Sequence, residues 1–443
     1  MLQLAVPLAI ANLLQMTVYA IDVIFVARLG QEALAASSLS ISFFMLTTWA
    51  FTGLVGAVAP LIAAELGRRR HAVREVRRSV RMGLWLALGL GVLGMSMASF
   101  GEPFMRLTGQ NPAVAERAGH FLGVLRWAVI PMIASNVLRN FVSALGRPVF
   151  ATVITAIAIG VNALGNWVLV FGHLGVPAYG VEGSASASVI TSVAVLLAYF
   201  VAIACDRRLR RYHILGRFWR PEWSRLRELL VLGLPILLII VAEGGLFSSA
   251  AFLMGRIGAA QLAGHAVALQ IAALAFQVPM GLGQAATIRV GYHFGAGDRL
   301  AIARAGSAGL IVCLIFALFA AVAMVLFPRA IVSAYVDVQS PANATMVAFA
   351  MQFLLIAAAF QLFDSVQAVA AGLLRGLQDT RMPMVIALAG YWIPGFGTAA
   401  LLGLGTPLGG IGVWLGLAVG LVIVAWLLLW RWHWRERLGL LPV

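Results

Sequence analysis

The chain reads as a succession of apolar runs, most 20 to 30 residues long, separated by short polar stretches. A helix of that length covers the roughly 30 Å hydrocarbon core of a bilayer. The runs do not alternate polar and apolar positions in short segments, so the pattern predicts helices rather than membrane strands. Twelve spans are predicted, over residues 2–27, 35–64, 80–101, 117–146, 149–171, 181–204, 229–254, 262–292, 302–327, 344–375, 382–404 and 408–431. Several exceed the roughly 20 residues needed to cross, which implies tilt or extension past the bilayer. The first run opens without a basic segment and is broken by Asn12, Gln15, Tyr19 and Asp22. It therefore reads as a bundle helix and not as a secretory signal.

The polar stretches carry an orientation signal. Arg68, Arg69, Arg70, Arg74, Arg77, Arg78 and Arg81 follow the second run, and Arg207, Arg208, Arg210, Arg211, Arg217, Arg220, Arg225 and Arg227 follow the sixth. Arg147, Arg299, Arg304, Arg375, Arg381, Arg431, Arg435 and Arg437 fall on the same side, against Arg28, Arg106, Arg117, Arg256 and Arg329 on the other. Positive loops stay in the cytoplasm, so both termini are expected there. The segment 205–228 is expected to be a solvated cytoplasmic loop whose arginines can also touch anionic lipid.

The pattern repeats. Pro7 matches Pro235, Arg28-Leu29-Gly30 matches Arg256-Ile257-Gly258, Leu34-Ala35 matches Leu262-Ala263, and Gly53 and Gly67 match Gly281 and Gly295. Further on, Gly180 and Gly183 match Gly409 and Gly412. Six spans separate the copies, so both enter the membrane in the same direction. That is a parallel repeat about an axis along the membrane normal, a recurrent transporter plan. The expected organisation is an all-α integral membrane protein of twelve helices in two pseudo-symmetric six-helix lobes. Residues 1–204 form the N-lobe, 205–228 an arginine-rich cytoplasmic linker and 229–443 the C-lobe.

Composition fits this picture. Of 443 residues, 62% are hydrophobic and 11% charged, less than half the charged fraction of a soluble domain. The formal net charge of +15 sits in short loops between apolar runs, which argues against nucleic acid as a partner. All basic residues are arginine. Cys205 and Cys313 lie in different halves and give neither a disulfide framework nor metal-ligand spacing. Gly89-Leu90-Gly91-Val92-Leu93-Gly94 matches a dinucleotide fingerprint on paper, but it lies within an apolar run with no preceding strand, so it reads as a small-residue packing face.

Three acids fall within the runs: Asp22 in the first, Glu243 in the seventh and Asp364 in the tenth. A charge at mid-bilayer costs about 2.5–3.5 kcal/mol on insertion scales. Such groups persist only when they face a cavity or a partner, and no arginine lies in those spans at similar depth. A buried carboxylate can be neutralised by a proton or can offer hard oxygen ligands to a small cation. Gln15 is two turns before Asp22 on the same face, Asn162 and Asn166 share a face of the fifth span, and Ser188 in the sixth can add a hydroxyl. Gln15 aligns with Glu243 in the repeat while Asp22 aligns with Ala250, so the lobes place their acids differently. Pro7, Pro235, Pro279 and Pro394 can kink their helices. Phe44, Trp49, Phe276, Met280 and Trp392 can line an apolar cavity for flat organic cations, and Gln270 adds a polar candidate. No cofactor is expected. Clustered nucleophile, metal or acid–base residues at one membrane face, which a membrane enzyme would need, are not found.

Together these features resemble the multidrug and toxic compound extrusion family, its NorM-like branch in particular. The resemblance spans nearly the whole chain. It is carried by Asp22-Val23-Ile24-Phe25-Val26-Ala27-Arg28-Leu29-Gly30, His265-Ala266-Val267-Ala268-Leu269-Gln270, Pro279-Met280-Gly281-Leu282-Gly283, Asn162 to Asn166, and Asp364-Ser365-Val366-Gln367 through Leu374-Arg375-Gly376. The resemblance implies a V-shaped pair of lobes in a bacterial inner membrane, acting as a monomer. It implies export of cationic drugs and dyes in exchange for H+ or Na+. Asp22, Asn162 and Asn166 then match an N-lobe coupling site, and Glu243 and Asp364 a C-lobe cation site able to take Na+. Where the family often has a tyrosine one turn before the tenth-span acid, this chain has Phe360. That lost hydroxyl tilts the expectation toward H+. The alternative is a lipid-linked oligosaccharide flippase of the same superfamily, which tends toward a cationic cavity.

Overall fold

The computed structural model describes residues 1–69, 72–107 and 112–442; Arg70 lies outside them. The described secondary structure is helical throughout. Among the described residues, twelve helices are long and apolar enough to cross a membrane: α1 Leu2–Ala27, α2 Ser40–Arg68, α3 Val73–Ser99, α4 Ala115–Ala144, α5 Val149–Phe171, α6 Gly180–Cys205, α7 Trp223–Ile257, α8 Ala259–Ala296, α9 Arg299–Leu326, α10 Pro341–Gly376, α11 Arg381–Gly405 and α12 Gly410–His433. Each satisfies its backbone internally, as lipid requires.

All twelve expected spans are present. The larger differences are at two arginine-rich starts: α3 begins at Val73 and not at 80, and α7 at Trp223 and not at 229. Arginine is a good helix former, so a basic stretch need not be a loop when its charges find partners. Here they do. Arg225 is buried and reaches Glu65 and Glu75, both at 3.2 Å, and Glu228 at 2.8 Å. Arg78 and Arg81 both donate to Glu222.

The solvated loop expected over 205–228 is therefore corrected to a docked connector. Arg77 Nε donates to Tyr212 O at 2.7 Å, Arg81 Nη1 to Arg217 O at 3.1 Å, and Trp85 Nε1 to Phe218 O at 2.9 Å. Tyr212, Leu209 and Ile214 are buried, and Tyr212 meets Phe141 edge to face at 5.7 Å. The short helix Arg207–Arg210 starts on Asp206, whose carboxylate accepts from Arg208 N and Leu209 N.

By packing, the chain resolves into two compact units: Ile10–Leu237, and Met1–Ala9 with Leu238–Val443. In the first, a Cβ on Gly183 would lie 2.4 Å from Leu169 O, so α6 touches α5 backbone to backbone. In the second, a Cβ on Gly372 would lie 2.3 Å from Gly283 O, and Thr287 Oγ1 donates to Gly372 O at 2.9 Å. Small residues allow helices to approach this closely where no hydrophobic force drives them together. Pro394 sits in a π-helical turn, Tyr391–Phe396, within α11. A π-turn accommodates the ring without ending the helix.

Candidate functional site

In the unit Ile10–Leu237, Asn12, Gln15, Tyr19 and Asp22 follow at spacings of three, four and three along α1, which aligns them on one face. Asp22 is 8% exposed, and Asn162 and Asn166 are fully buried. Asp22 Oδ1 accepts from Asn162 Nδ2 at 3.0 Å and from Asn166 Nδ2 at 2.8 Å; Oδ2 accepts from Ser188 Oγ at 2.7 Å. A carboxylate withdrawn from water needs such donors, and bonds to a charged acceptor are the strong ones. Helices α1, α5 and α6 thus meet at one polar cage, the residues expected from the sequence. Asn166 Oδ1 is buried without a hydrogen-bond partner among the described residues. The cage therefore offers several oxygens to a small cation, or a single carboxylate to a proton.

An arginine from another span reaches the far end of this face. Arg139, on α4, donates from Nη2 to Asn12 Oδ1 at 2.5 Å. Tyr19 lies between Asn12 and Asp22 on this face, where the charges of Asp22 and Arg139 both act on it and the side chains of Gln15 and Trp49 are close by. Arg139 comes from a different helix, whose register with α1 no linear pattern reveals.

The unit containing residues 238–443 holds the other two acids. Glu243 on α7 is half-buried, and Asp364 on α10 is 5% exposed. The charge of Glu243 acts on Asp364, and Arg375, one helical stretch further along α10, acts on Glu243. Asp364 Oδ1, Gln361 Oε1 and Gln367 Oε1 are buried without hydrogen-bond partners among the described residues. Gln367 Nε2 donates to the Tyr391 hydroxyl, and Gln361 Nε2 lies 3.4 Å from Ser365 Oγ. Gln361 and Tyr391 were not singled out from the sequence, and Ser365 and Gln367 were named only within the string after Asp364 and not as site residues. The spacing of 361, 365 and 367 about Asp364 was the available signal. The ion pairs among the described residues all involve other acids.

The remaining candidates are scattered. Phe360 is 1% exposed and packs on Trp414 at 5.4 Å, beside His265, whose ring meets Trp414 at 5.5 Å. Gln270 and Met280 are exposed and Phe276 is half-buried. Trp392 is 40% exposed, stands against Phe396 at 5.7 Å, and crowds Gly245 on α7.

The MatE family model matches residues 7–168 and again 235–400. The chain belongs to the MatE family. The two matches begin at Pro7 and Pro235, the equivalent prolines of the repeat. Among curated relatives, "Probable multidrug resistance protein NorM" of Mesorhizobium japonicum is 44% identical over 438 residues, covering 99% of this chain and 94% of that protein. "Multidrug resistance protein NorM" of Burkholderia vietnamiensis is 37% identical, with 97% and 92% covered. Among solved structures, a eukaryotic MATE transporter has a TM-score of 0.87 at 20% identity, covering 98% of this chain and 96% of that one. A MOP superfamily transporter from Pyrococcus furiosus has a TM-score of 0.88 at 22% identity, with 99% and 96% covered. As a MatE protein the chain is a multi-pass membrane transporter and not an enzyme.

Proposed function

We propose that this MatE transporter exports cationic and amphipathic organic compounds from a bacterial cytoplasm across the inner membrane, in exchange for an inward small cation. The observation that carries this reading is the Asp22 carboxylate, buried in a membrane helix, held by three neutral donors and paired with no guanidinium among the described residues. A lone buried charge of this kind is stable enough to persist and unbalanced enough to want a cation. Glu243 and Asp364 supply a second acidic centre in the other unit. The NorM names of relatives at 37–44% identity support a multidrug substrate range. The arginine-rich loops support cytoplasmic termini.

The exchange is competitive. With its acids free, the protein attracts an organic cation from the cytoplasmic side or inner leaflet. A small cation arriving from outside neutralises the acids, and the attraction ends. Coupling follows because the two ligands favour different states. The proton is the favoured coupling ion, because Phe360 adds no oxygen beside Asp364, whereas a carboxylate alone is enough to take up H+; Na+ at Glu243 and Asp364 is the variant of the same scheme.

The test is dye efflux from proteoliposomes with the proton and sodium gradients imposed separately. Efflux driven by the proton gradient alone is expected. Efflux under the sodium gradient alone would move the assignment to Na+, and dye movement independent of both gradients would end the exchange reading.

A further inference from the structure

The polar ladder on α1 ends in opposite charges. Asp22 stands at one end within its cage, and Asn12 stands at the other, gripped by Arg139. Ten residues of helix separate them, about 15 Å along the axis. That is too far for an ion pair and close enough for each charge to act on anything placed between them. The charge interactions in this group join Asp22 to Tyr19, and Arg139 to Tyr19 and Tyr199. Among the described residues, Tyr19 on α1 and Tyr199 on α6 are the other titratable groups that these charges act on; α5 contributes the neutral Asn162 and Asn166, and α2 Trp49. The guanidinium is held in place through Asn12, on the same helix as Asp22, so its position relative to the acid is fixed by helical geometry and not by a flexible loop.

We infer that Arg139 is a resident cation that turns neutralisation of Asp22 into repulsion of the transported cation. The inference rests on the exchange reading above. While Asp22 is charged, the ladder is balanced overall and strongly negative at the Asp22 end, where an organic cation is drawn. Once a proton or small cation neutralises Asp22, the ladder carries the uncompensated charge of Arg139. Neutralisation alone would only withdraw the attraction and leave apolar contacts to hold the substrate. The guanidinium adds a force in the outgoing direction. At about 15 Å and an effective dielectric constant near 20, a unit charge changes the affinity of a monovalent cation about sixfold. It leaves an uncharged amphipath untouched, because the interaction scales with the ligand's charge.

The Asp22→Asn protein mimics the neutralised state and makes the test direct. Binding of a permanently charged dye, tetraphenylphosphonium, is measured on purified protein in lipid nanodiscs, beside binding of an uncharged amphipath of similar size. Asp22→Asn/Arg139→Gln is expected to bind tetraphenylphosphonium about sixfold more tightly than Asp22→Asn alone, with the uncharged probe unchanged. Asp22→Asn/Arg139→Lys, which keeps the charge, is expected to bind as weakly as Asp22→Asn. Equal affinity in the Gln double variant overturns the inference, as does tightening of both probes together or tightening in the Lys variant. Should the Gln variant not assemble, Asp22→Asn/Arg139→Met, which also removes the charge and keeps a long side chain, reads the same difference. A separate outcome marks failure of the underlying exchange reading: Asp22→Asn binding the dye as tightly as the native protein.

Discussion

Asn166 donates to Asp22 at 2.8 Å across a sequence separation of 144 residues, and that bond ties α5 to the acid on α1. Removing it in Asn166→Ala leaves the carboxylate with one donor fewer. Hydrogen bonds to charged groups contribute about 1.5–3 kcal/mol. With protons as the coupling ion, the half-maximal pH for dye exchange is expected to move upward by about one unit or more, since the charged form has lost support. With Na+ instead, the half-maximal sodium concentration rises, because an amide oxygen has gone from the cage. Exchange in proteoliposomes across a pH and sodium series reads both. A curve superimposable on the native one would remove Asn166 from the site.

Neutralising the acids singly, as Asp22→Asn, Glu243→Gln or Asp364→Asn, is expected to abolish dye efflux while leaving the amount of folded protein in the membrane unchanged. Efflux from cells, normalised to protein level, makes the comparison. Full efflux in all three variants would leave the exchange mechanism without a carrier for its coupling ion.

The cage and the fold differ in how far the chain foretold them. Twelve spans, their parallel repeat and the meeting of Asp22 with Asn162, Asn166 and Ser188 were readable. An acid in an apolar run is costly, and the helical period aligns its neutral partners. Arg139 was not readable as a neighbour of that group, because it comes from α4 and its approach depends on interhelical register. Nor was the docking of 205–228. Loop arginines look alike in sequence whether they meet water or Glu222, and only the fold brings Glu65, Glu75 and Glu222 to them.

That docking has a measurable strength. Arg81 is buried and donates to both Glu222 and the Arg217 carbonyl. Arg81→Ala leaves Glu222 with fewer partners and the Arg217 carbonyl without this donor, and is expected to cost about 2–3 kcal/mol. Thermal unfolding in detergent should fall by several degrees and should depend little on added salt, unlike a surface pair. A melting temperature within a degree of native would mean the contact is redundant.

Gly372 tests the close approach of α8 and α10. Its Cβ in Gly372→Ala would lie 2.3 Å from the Gly283 carbonyl oxygen, and backbone cannot step aside as a side chain can. Overpacking of this kind costs about 1–3 kcal/mol or more. A reduced monodisperse fraction in size-exclusion chromatography is expected. A native profile and native efflux together would show that the helices part without penalty.

His265 gives a contrasting result. It is 1% exposed, and neither ring nitrogen has a hydrogen-bond partner among the described residues. Replacing an unsatisfied buried polar group by an apolar one of similar shape is neutral or stabilising. His265→Phe keeps an aromatic contact with Trp414 and is expected to retain efflux with an unchanged or higher melting temperature. Loss of efflux in a stable protein would give the imidazole a part in transport.

The connector between α6 and α7 is gripped in part by its main chain: Arg77, Arg81 and Trp85 hold the carbonyls of Tyr212, Arg217 and Phe218. Main-chain oxygens are the same whatever residue bears them. Mutation can therefore rewrite Arg217 and Phe218 without loosening those two bonds. The durable information for that joint is written on α3, and drift in the connector is a poor guide to whether two relatives fold it alike.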